Sequence, residues 1–370
     1  MRRVAVLFGG KSCENEISIL TGVFVINLLD RTKYTVIPVY IHTDGEMYFS
    51  AKATDLECFR QGDFSTFQRV FFIGGQMYAL GKRNRIKNMG KIDVALNCCH
   101  GGLGEGGGVS AIMEWNCIPL ASPELTSSGI FMDKCMTKTV MRALNIPTVD
   151  YIRVNERDYI KRGAFLLKSI EARLKYPVVV KPAHLGSSIG IAVAKNESEA
   201  KTAIENAFAL DDRVLIEKYL AEKKDVNCAA YMRKGEICVS EAEYAFGDGV
   251  YSFEEKYIKR QSDGRIGGKE GGRYALNGEL RDKIRAYTKT VYKRMNLNGV
   301  VRMDFLVSGK EVYLCEVNTV PGSLAYYLFC ERISDARVFF SDLIEEAILN
   351  KAEKKLLATG ILKRVQWNRK

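Results

Sequence analysis

Residues 300–318 read VVRMDFLVSGKEVYLCEVN, two apolar runs separated by Ser308, Gly309 and Lys310. Turn residues between two such runs predict an antiparallel hairpin. Side chains alternate faces along a strand, so Arg302 and Asp304 point one way together, and so do Glu316 and Asn318. If the strands pair, two carboxylates and an amide oxygen meet beside one guanidinium. Hard oxygen donors of this kind suit Mg²⁺, which keeps waters and shares itself with substrate phosphates. Spacing alone equally allows an Arg–Asp ion pair on a solvated sheet face. The apolar flanks Val300, Val301, Phe305, Leu314 and Val317 speak for a half-buried hairpin instead.

Upstream, VVVKPAHLGSSIG (178–190) ends a three-valine strand on Lys181. An ammonium there is costly to bury unless it meets an anion. Gly186, Ser187, Ser188 and Gly190 can bring N–H groups and hydroxyls close to phosphates. A plain turn with a snorkelling lysine is the alternative. Lys134 before this segment and Lys256 after it favour a nucleotide. The segment FGGKSCENEIS (8–18) imitates the phosphate loop G-x-x-x-x-G-K-[ST], but Ala5 stands where the first glycine is required. The G-x-G-x-x-G dinucleotide fingerprint is absent as well. What remains is a turn entering a helix whose first turn holds Glu14 and Glu16, acids that complement the helix dipole. HGGLGEGGG (100–108) follows an apolar strand and reads as a ligand-binding lip. On sequence logic alone, His100 within it reads as a satisfied structural histidine.

Around these segments lie VAVLFG (4–9), YTVIPVYI (34–41) and DVALNCC (93–99), three strands of an open α/β domain. Ile17, Leu20, Phe24 and Leu28 predict a helix buried along that stripe. Loops and short strands are expected over 45–90. A second unit starts near 123, with a helical stretch ended by Pro147 and a helix from Glu197. A third carries DVNCAAYM, EICVSEAEYA and a helix on Leu280, Ile284, Tyr287, Val291 and Met295. Between them, KRQSDGRIGGKEGGRY (259–274) is too long and polar to be mere filler.

The 370 residues are 47% hydrophobic and 27% charged, which suits two or three globular domains. The net charge of +11 is dispersed and not interleaved with aromatics, so no nucleic-acid partner is expected. Ten cysteines without a C-x-x-C pair and three scattered histidines fit neither a zinc site nor a disulfide framework. The short apolar run after MRR is not a secretory signal, and no stretch is long enough to span a membrane. A reduced, cytoplasmic protein is the expectation.

Taken in order, GGKSCENEIS, HGGLGEGGG, MDK (132–134), KPAHLGSSIG, EKYL, EKY (255–257), RMDF and EVNTVPG resemble the motifs of the ATP-grasp superfamily. Within it they are similar to the D-alanine:D-alanine ligases, whose counterparts include GGxSxExEVS and HGxxGEDG. The resemblance spans about 3 to 350. It implies an α/β preATP-grasp domain (1–122), then a two-lobed α+β ATP-grasp fold (123–216 and 217–352) and a basic tail (353–370). It further implies that Lys134 and Lys181 contact ATP phosphates, with Ser187 and Ser188 closing over them. The backbone of Glu217, Lys218, Tyr219 and Leu220 would meet adenine, and Asp225 falls near the ribose-binding acid. Lys256 and Tyr257 would lie on the loop that closes the site. Asp304, Glu316 and Asn318 would hold two Mg²⁺ ions, with Mn²⁺ as a substitute. Arg302 and an N–H near Gly322 would stabilise the oxyanion. Glu14 would hold the first substrate's ammonium, oriented by Ser187 and Tyr257. His100, Ser323 and Leu324 complete the implied substrate set.

The implied activity is ATP-dependent formation of D-alanyl-D-alanine through an acyl phosphate, for peptidoglycan precursors, by a homodimer. The sequence departs from the family where the second substrate binds. EDG becomes Glu105-Gly106-Gly107, the following Gln-Gly becomes Ser110-Ala111, and Tyr327 stands at an expected serine. A ligase for another acceptor (D-lactate, D-serine or a different amino acid) and a non-catalytic nucleotide-binding relative are the alternatives.

Overall fold

The computed structural model describes residues 1–245 and 276–350, which form three sheets. Expectations for Lys256, Tyr257, the segment 259–274 and the tail 353–370 lie outside the described residues.

The first sheet contains β1 (Arg2–Gly9), β2 (Tyr34–Ile41), β3 (Met47–Phe49), β4 (Gln68–Ile73), β5 (Gln76–Leu80), β6 (Ile86–Lys91), β7 (Val94–Asn97) and β8 (Leu120–Ala121). Their order is β6-β5-β4-β3-β2-β1-β7-β8. β1 runs parallel to β2 and β7, and β7 parallel to β8, while β2 through β6 form an antiparallel extension. Val4 to Phe8 are all fully buried, as a continuous apolar run covered on both faces requires. The helix Asn15–Leu28 lies across β1. A β-carbon at Gly22 would come 2.3 Å from the Phe8 ring, so glycine sets how closely the helix approaches the strand.

The helix forms where the spacing predicts it, but its buried face differs. Ser18, Ile19, Gly22, Val23, Val25 and Ile26 are buried, whereas Ile17, Leu20, Phe24 and Leu28 are half-buried. The reason lies far along the chain. The 3₁₀ segment Gly322–Leu328 and the helix Ile333–Leu349 return onto this helix, and Phe24 meets Tyr326 at 4.9 Å and Phe340 at 6.2 Å between ring centroids. Phe339, Phe340, Leu343 and Ile344 share one core with Val4, Val6 and Phe8.

The second sheet, β9 (Tyr151–Asn155), β10 (Val178–Pro182), β11 (Ala192–Ala194) and β12 (Arg213–Lys218), is antiparallel in the order β11-β10-β12-β9. It packs against the helices Glu156–Leu174 and Glu197–Phe208 through Ile170, Ala203 and Ile204. The third sheet orders β14 (Glu236–Val239), β13 (Lys224–Arg233), β16 (Val301–Ser308) and β17 (Glu311–Asn318), with β15 (Glu243–Tyr244) also paired to β13. The helix Glu279–Arg294 covers it with Ile284, Val291 and Tyr292. The helical stretch after 123 is two helices, Leu125–Met132 and Lys134–Ala143. Asp133 breaks it because its carboxylate caps the second helix, accepting from Cys135 N at 2.7 Å and Met136 N at 3.1 Å.

Candidate active site

β16 and β17 pair antiparallel, with Arg302 opposite Asn318 and Asp304 opposite Glu316. A bulge between Asp304 and Phe305, where Cys315 is passed over, sets this register and brings both pairs to one face. Arg302 grips Asp304 with both sides of the guanidinium, Nε to Oδ1 at 2.7 Å and Nη2 to Oδ2 at 2.8 Å. Asn318 Nδ2 donates to the same Asp304 Oδ2 at 3.0 Å. Burial raises the Asp304 carboxyl, and the charge of Glu316 adds to it. Burial also works against Glu316, but Lys134, Lys181 and Arg302 hold it below the ordinary range. Two enclosed carboxylates ringed by cations form a polar pocket and not a solvated salt bridge.

The second sheet delivers Lys181, and the helix Lys134–Ala143 delivers Lys134 and Lys138. Lys181, ending β10, reaches Glu217 Oε2 on β12 at 2.5 Å. Lys138, one turn beyond Lys134 and fully buried, reaches Glu217 Oε1 at 2.5 Å and donates to Val149 O at 3.1 Å. One buried carboxylate therefore anchors two ammoniums. Burial opposes the charge of Glu217, yet Lys181 and Lys138 bring it down to about 2. Burial likewise works against Lys181, but Cys315 and Glu217 raise it above the ordinary range for lysine. Lys134 donates from Nζ to Leu185 O at 2.5 Å and lies 3.9 Å from Glu316 Oε2, joining the lysine cluster to the hairpin.

Glu14 enters from the first sheet's helix. Ser187 Oγ donates to Glu14 Oε1 at 2.5 Å, across 173 residues of sequence. β-carbons placed on Gly101 and Gly186 would each come 2.6 Å from Glu14 Oε2. The glycines leave the space into which this carboxylate fits. Ser187 and Ser188 are in left-handed backbone (φ 51° and 59°), a cost of about 1–2 kcal/mol for each non-glycine residue.

His100 is buried with both ring nitrogens engaged. Nδ1 donates to Val320 O at 2.6 Å, because a carbonyl can only accept. Nε2 is then bare and accepts from Thr21 Oγ1 at 2.8 Å, while that oxygen accepts from Ser323 N at 3.2 Å. Burial pushes His100 down to about 4, and the Arg302 charge adds to this despite the bond to Val320. The neutral imidazole fixes the loop after β17. Ser323 and Leu324 lie in that loop. They are 4% and 2% exposed, and Leu324 packs in the first domain's core. With Ala325 they form a left-handed turn (φ 48–53°), held by Ser323 N to Thr21 and Leu324 N to Pro321 O at 2.7 Å. Tyr327 stands before the guanidinium instead, and its hydroxyl accepts from Arg302 Nη1 at 3.2 Å.

The lysines occupy the Glu217 side chain, which leaves the implied adenine contact to the backbone; Lys218 ends β12, and Tyr219 and Leu220 follow it half-buried. Asp225 opens β13 with an exposed carboxylate paired to Lys223 at 2.8 Å. Three site groups escaped the sequence reading. Lys138 sits at i+4 from Lys134 on the buried face of its helix, a signal that was available. Glu105 accepts from Gly101 N at 2.9 Å, Thr319 N at 3.1 Å and Val320 N at 3.2 Å, tying the first domain to the loop after β17. Burial raises its carboxyl to about 7. The contact of Tyr327 with Arg302 had no local signal.

Lysines over a carboxylate pair, a glycine–serine loop and a bridging acid from a separate α/β domain define an ATP-dependent carboxylate–amine ligase of ATP-grasp architecture. The family descriptions "D-ala D-ala ligase N-terminus" and "D-ala D-ala ligase C-terminus" match residues 3–123 and 140–349. A "D-alanine--D-alanine ligase" of Thermosipho africanus is 32% identical over 336 residues, 89% of this chain and 88% of that protein. The D-Alanine-D-Alanine Ligase structure from Helicobacter pylori superposes with a TM-score of 0.75 at 26% identity, covering 96% of this chain and 100% of that one. The VanG D-Ala:D-Ser Ligase of Enterococcus faecalis shares the fold, with a TM-score of 0.73 at 24% identity over 95% and 99% of the two chains. The chain belongs to the D-alanine–D-alanine ligase family. Among the described residues, no helix is long and apolar enough to cross a membrane.

Proposed function

We propose that this chain joins two D-alanines at the expense of ATP, through a D-alanyl phosphate, to supply peptidoglycan precursors in the cytoplasm. The observation that carries the reading is the convergence of Lys134, Lys181, Arg302, Asp304, Glu316 and Asn318, with Glu14 brought to their rim by Ser187. The first D-alanine's carboxylate attacks the γ-phosphorus of ATP, the bond to the β–γ bridging oxygen breaks, and ADP leaves. The second's amine then attacks the acyl carbon, and phosphate leaves.

Such a reaction asks the protein to position reactants and neutralise charge. Lys134 and Lys181 face the phosphates, Lys181 aimed by Glu217. The Gly186–Gly190 loop closes over them. Glu14 receives the first substrate's ammonium, held by Ser187. Arg302 and the N–H near Gly322 take the charge that develops on the carbonyl oxygen. His100 and Glu105 act at one remove by fixing the turn that carries Gly322. Asp304, Glu316 and Asn318 offer hard oxygen donors beside one another, a set that fits two Mg²⁺ ions. Bound there, Mg²⁺ (or Mn²⁺) supplies charge neutralisation for the transferring phosphoryl group. Tyr327 faces the second substrate, and a homodimer is the expected assembly.

The test is phosphate release with ATP and Mg²⁺ against a panel of D- and L-amino acids and D-hydroxy acids, with products identified by mass. D-alanine alone should give phosphate and D-alanyl-D-alanine. Turnover confined to D-lactate or D-serine as acceptor would move the substrate and keep the mechanism. ATP binding without any turnover would refute the catalytic reading.

A further inference from the structure

We propose that His184 is a positioning residue, a charged clamp that seats the root of the Gly186–Gly190 loop; the inference rests on the reading of that loop as the cover of the ATP phosphates. The loop leaves β10 through Ala183, His184 and Leu185, and each of the three is tied. Ala183 N donates to Arg213 O and Lys134 N to Ala183 O, both at 3.0 Å. Lys134 Nζ donates to Leu185 O at 2.5 Å. Between them, His184 N donates to Asp211 Oδ2 at 2.7 Å, and its Nδ1 lies 2.9 Å from Asp211 Oδ1. The far ring nitrogen, Nε2, faces Asp133 Oδ2 at 3.6 Å.

The ring thus bridges two carboxylates on different elements. Asp211 lies just before β12, and Asp133 caps the helix that begins with Lys134. Arg213 pairs with Asp133 from the other side. Asp212 adds a further carboxylate close to the ring, and Lys11 and Glu14 line the cavity that His184 borders. Two cations, His184 and Arg213, balance Asp133 and Asp211. A neutral ring leaves Asp211 without its counter-charge. The two aspartates raise His184 to about 9 against the effect of burial. Burial works against the Asp133 carboxylate, but His184 and the Met136 N–H hold it at about 2. His184 is 36% exposed, so its proton exchanges with solvent. Three residues on, Ser187 makes the bond to Glu14, so the set of the root decides where the loop meets the first domain.

The experiment is calorimetric titration of the full chain with the non-hydrolysable ATP analogue AMP-PNP and Mg²⁺, without D-alanine, between about pH 7.5 and pH 10. Wild type should bind about tenfold more weakly at the alkaline end, the scale expected when one member of a coupled charge network is neutralised, with a midpoint near 9. His184→Asn should bind weakly and evenly across the range. His184→Arg, which keeps the charge, should bind tightly and evenly. A pH-independent wild type, or the same alkaline limb in His184→Asn, would overturn the clamp. The wild-type profile and His184→Arg decide the matter even if the asparagine variant does not fold. If the wild type binds no analogue at any pH, the nucleotide reading itself falls, and the inference with it.

Discussion

Glu217 is the most exacting place to perturb, because one buried carboxylate holds two ammoniums at 2.5 Å. Glu217→Gln keeps the shape and leaves Lys138 and Lys181 without a counter-charge. Two routes give the size of the effect. The fall of Glu217 from its ordinary 4.5 to about 2 corresponds to roughly 3 kcal/mol of preference for the ionised form. Removing one partner of a buried ion pair costs about 3–5 kcal/mol, because the remaining charge stays enclosed. The two agree, so a loss of roughly 3 kcal/mol at neutral pH is expected. The sign of the pH dependence follows. A carboxylate with a depressed folded-state pKa stabilises the fold above its unfolded value, and that gain is lost as pH falls through the folded value. The gap between wild type and variant should therefore be full above about 4.5 and close towards about 2.

The assay is urea unfolding of both proteins across that range. Lys138→Met on the Glu217→Gln background, which removes one of the two stranded charges, should recover part of the loss. A variant within about 0.5 kcal/mol of wild type at neutral pH, the scale of an ordinary surface change, would refute the account of the triad.

Four further outcomes follow from the same geometry. Arg302→Ala should lower turnover by about 10²–10³ while leaving analogue affinity nearly unchanged, as read from steady-state kinetics and calorimetry. Asp304→Asn should abolish Mg²⁺-dependent phosphate release, and chelation of Mg²⁺ should do the same to wild type. Tyr327→Phe removes the hydroxyl that meets Arg302 Nη1 and should raise KM for the second D-alanine about tenfold, with ATP KM unchanged. Because burial keeps His100 neutral down to about 4, wild-type stability should fall as pH drops from about 6.5 towards 4; His100→Gln should lack this limb in thermal melts.

What could be read from the sequence was whatever depends on neighbours in sequence. Strand alternation and a short turn made the hairpin legible, with Arg302 and Asp304 as one pair and Glu316 and Asn318 as another; the bulge between Asp304 and Phe305 that puts both pairs on one face was not. Lys181 was legible for a similar reason, since a lysine closing a valine strand needs an anion. The helix Asn15–Leu28 was legible in extent but not in buried face, because Phe24 packs on Tyr326 and Phe340 from the other end of the chain. Periodicity reports that a stripe is apolar; what covers it is decided elsewhere.

The residues whose contacts were not legible share one property: their partners are distant in sequence and their chemistry is indirect. Glu105 reads as one acid in a glycine run until Thr319 and Val320 donate to it across more than 200 residues. His100 reads as a structural histidine from its context, but its partners Val320 and Thr21 were not legible. Ser323 and Leu324 came only from the resemblance, and the left-handed turn that buries them, with Leu324 in the core, has no local signal. All of these contacts bind the α/β domain to the loop that follows the β16–β17 hairpin. That loop carries no catalytic acid or base of its own, so a weakened seam should leave ATP binding intact while displacing the N–H near Gly322 from the reacting carbonyl. Loss of kcat without loss of nucleotide affinity in Glu105→Gln would therefore separate the positioning of this loop from the phosphate-binding work of the lysines.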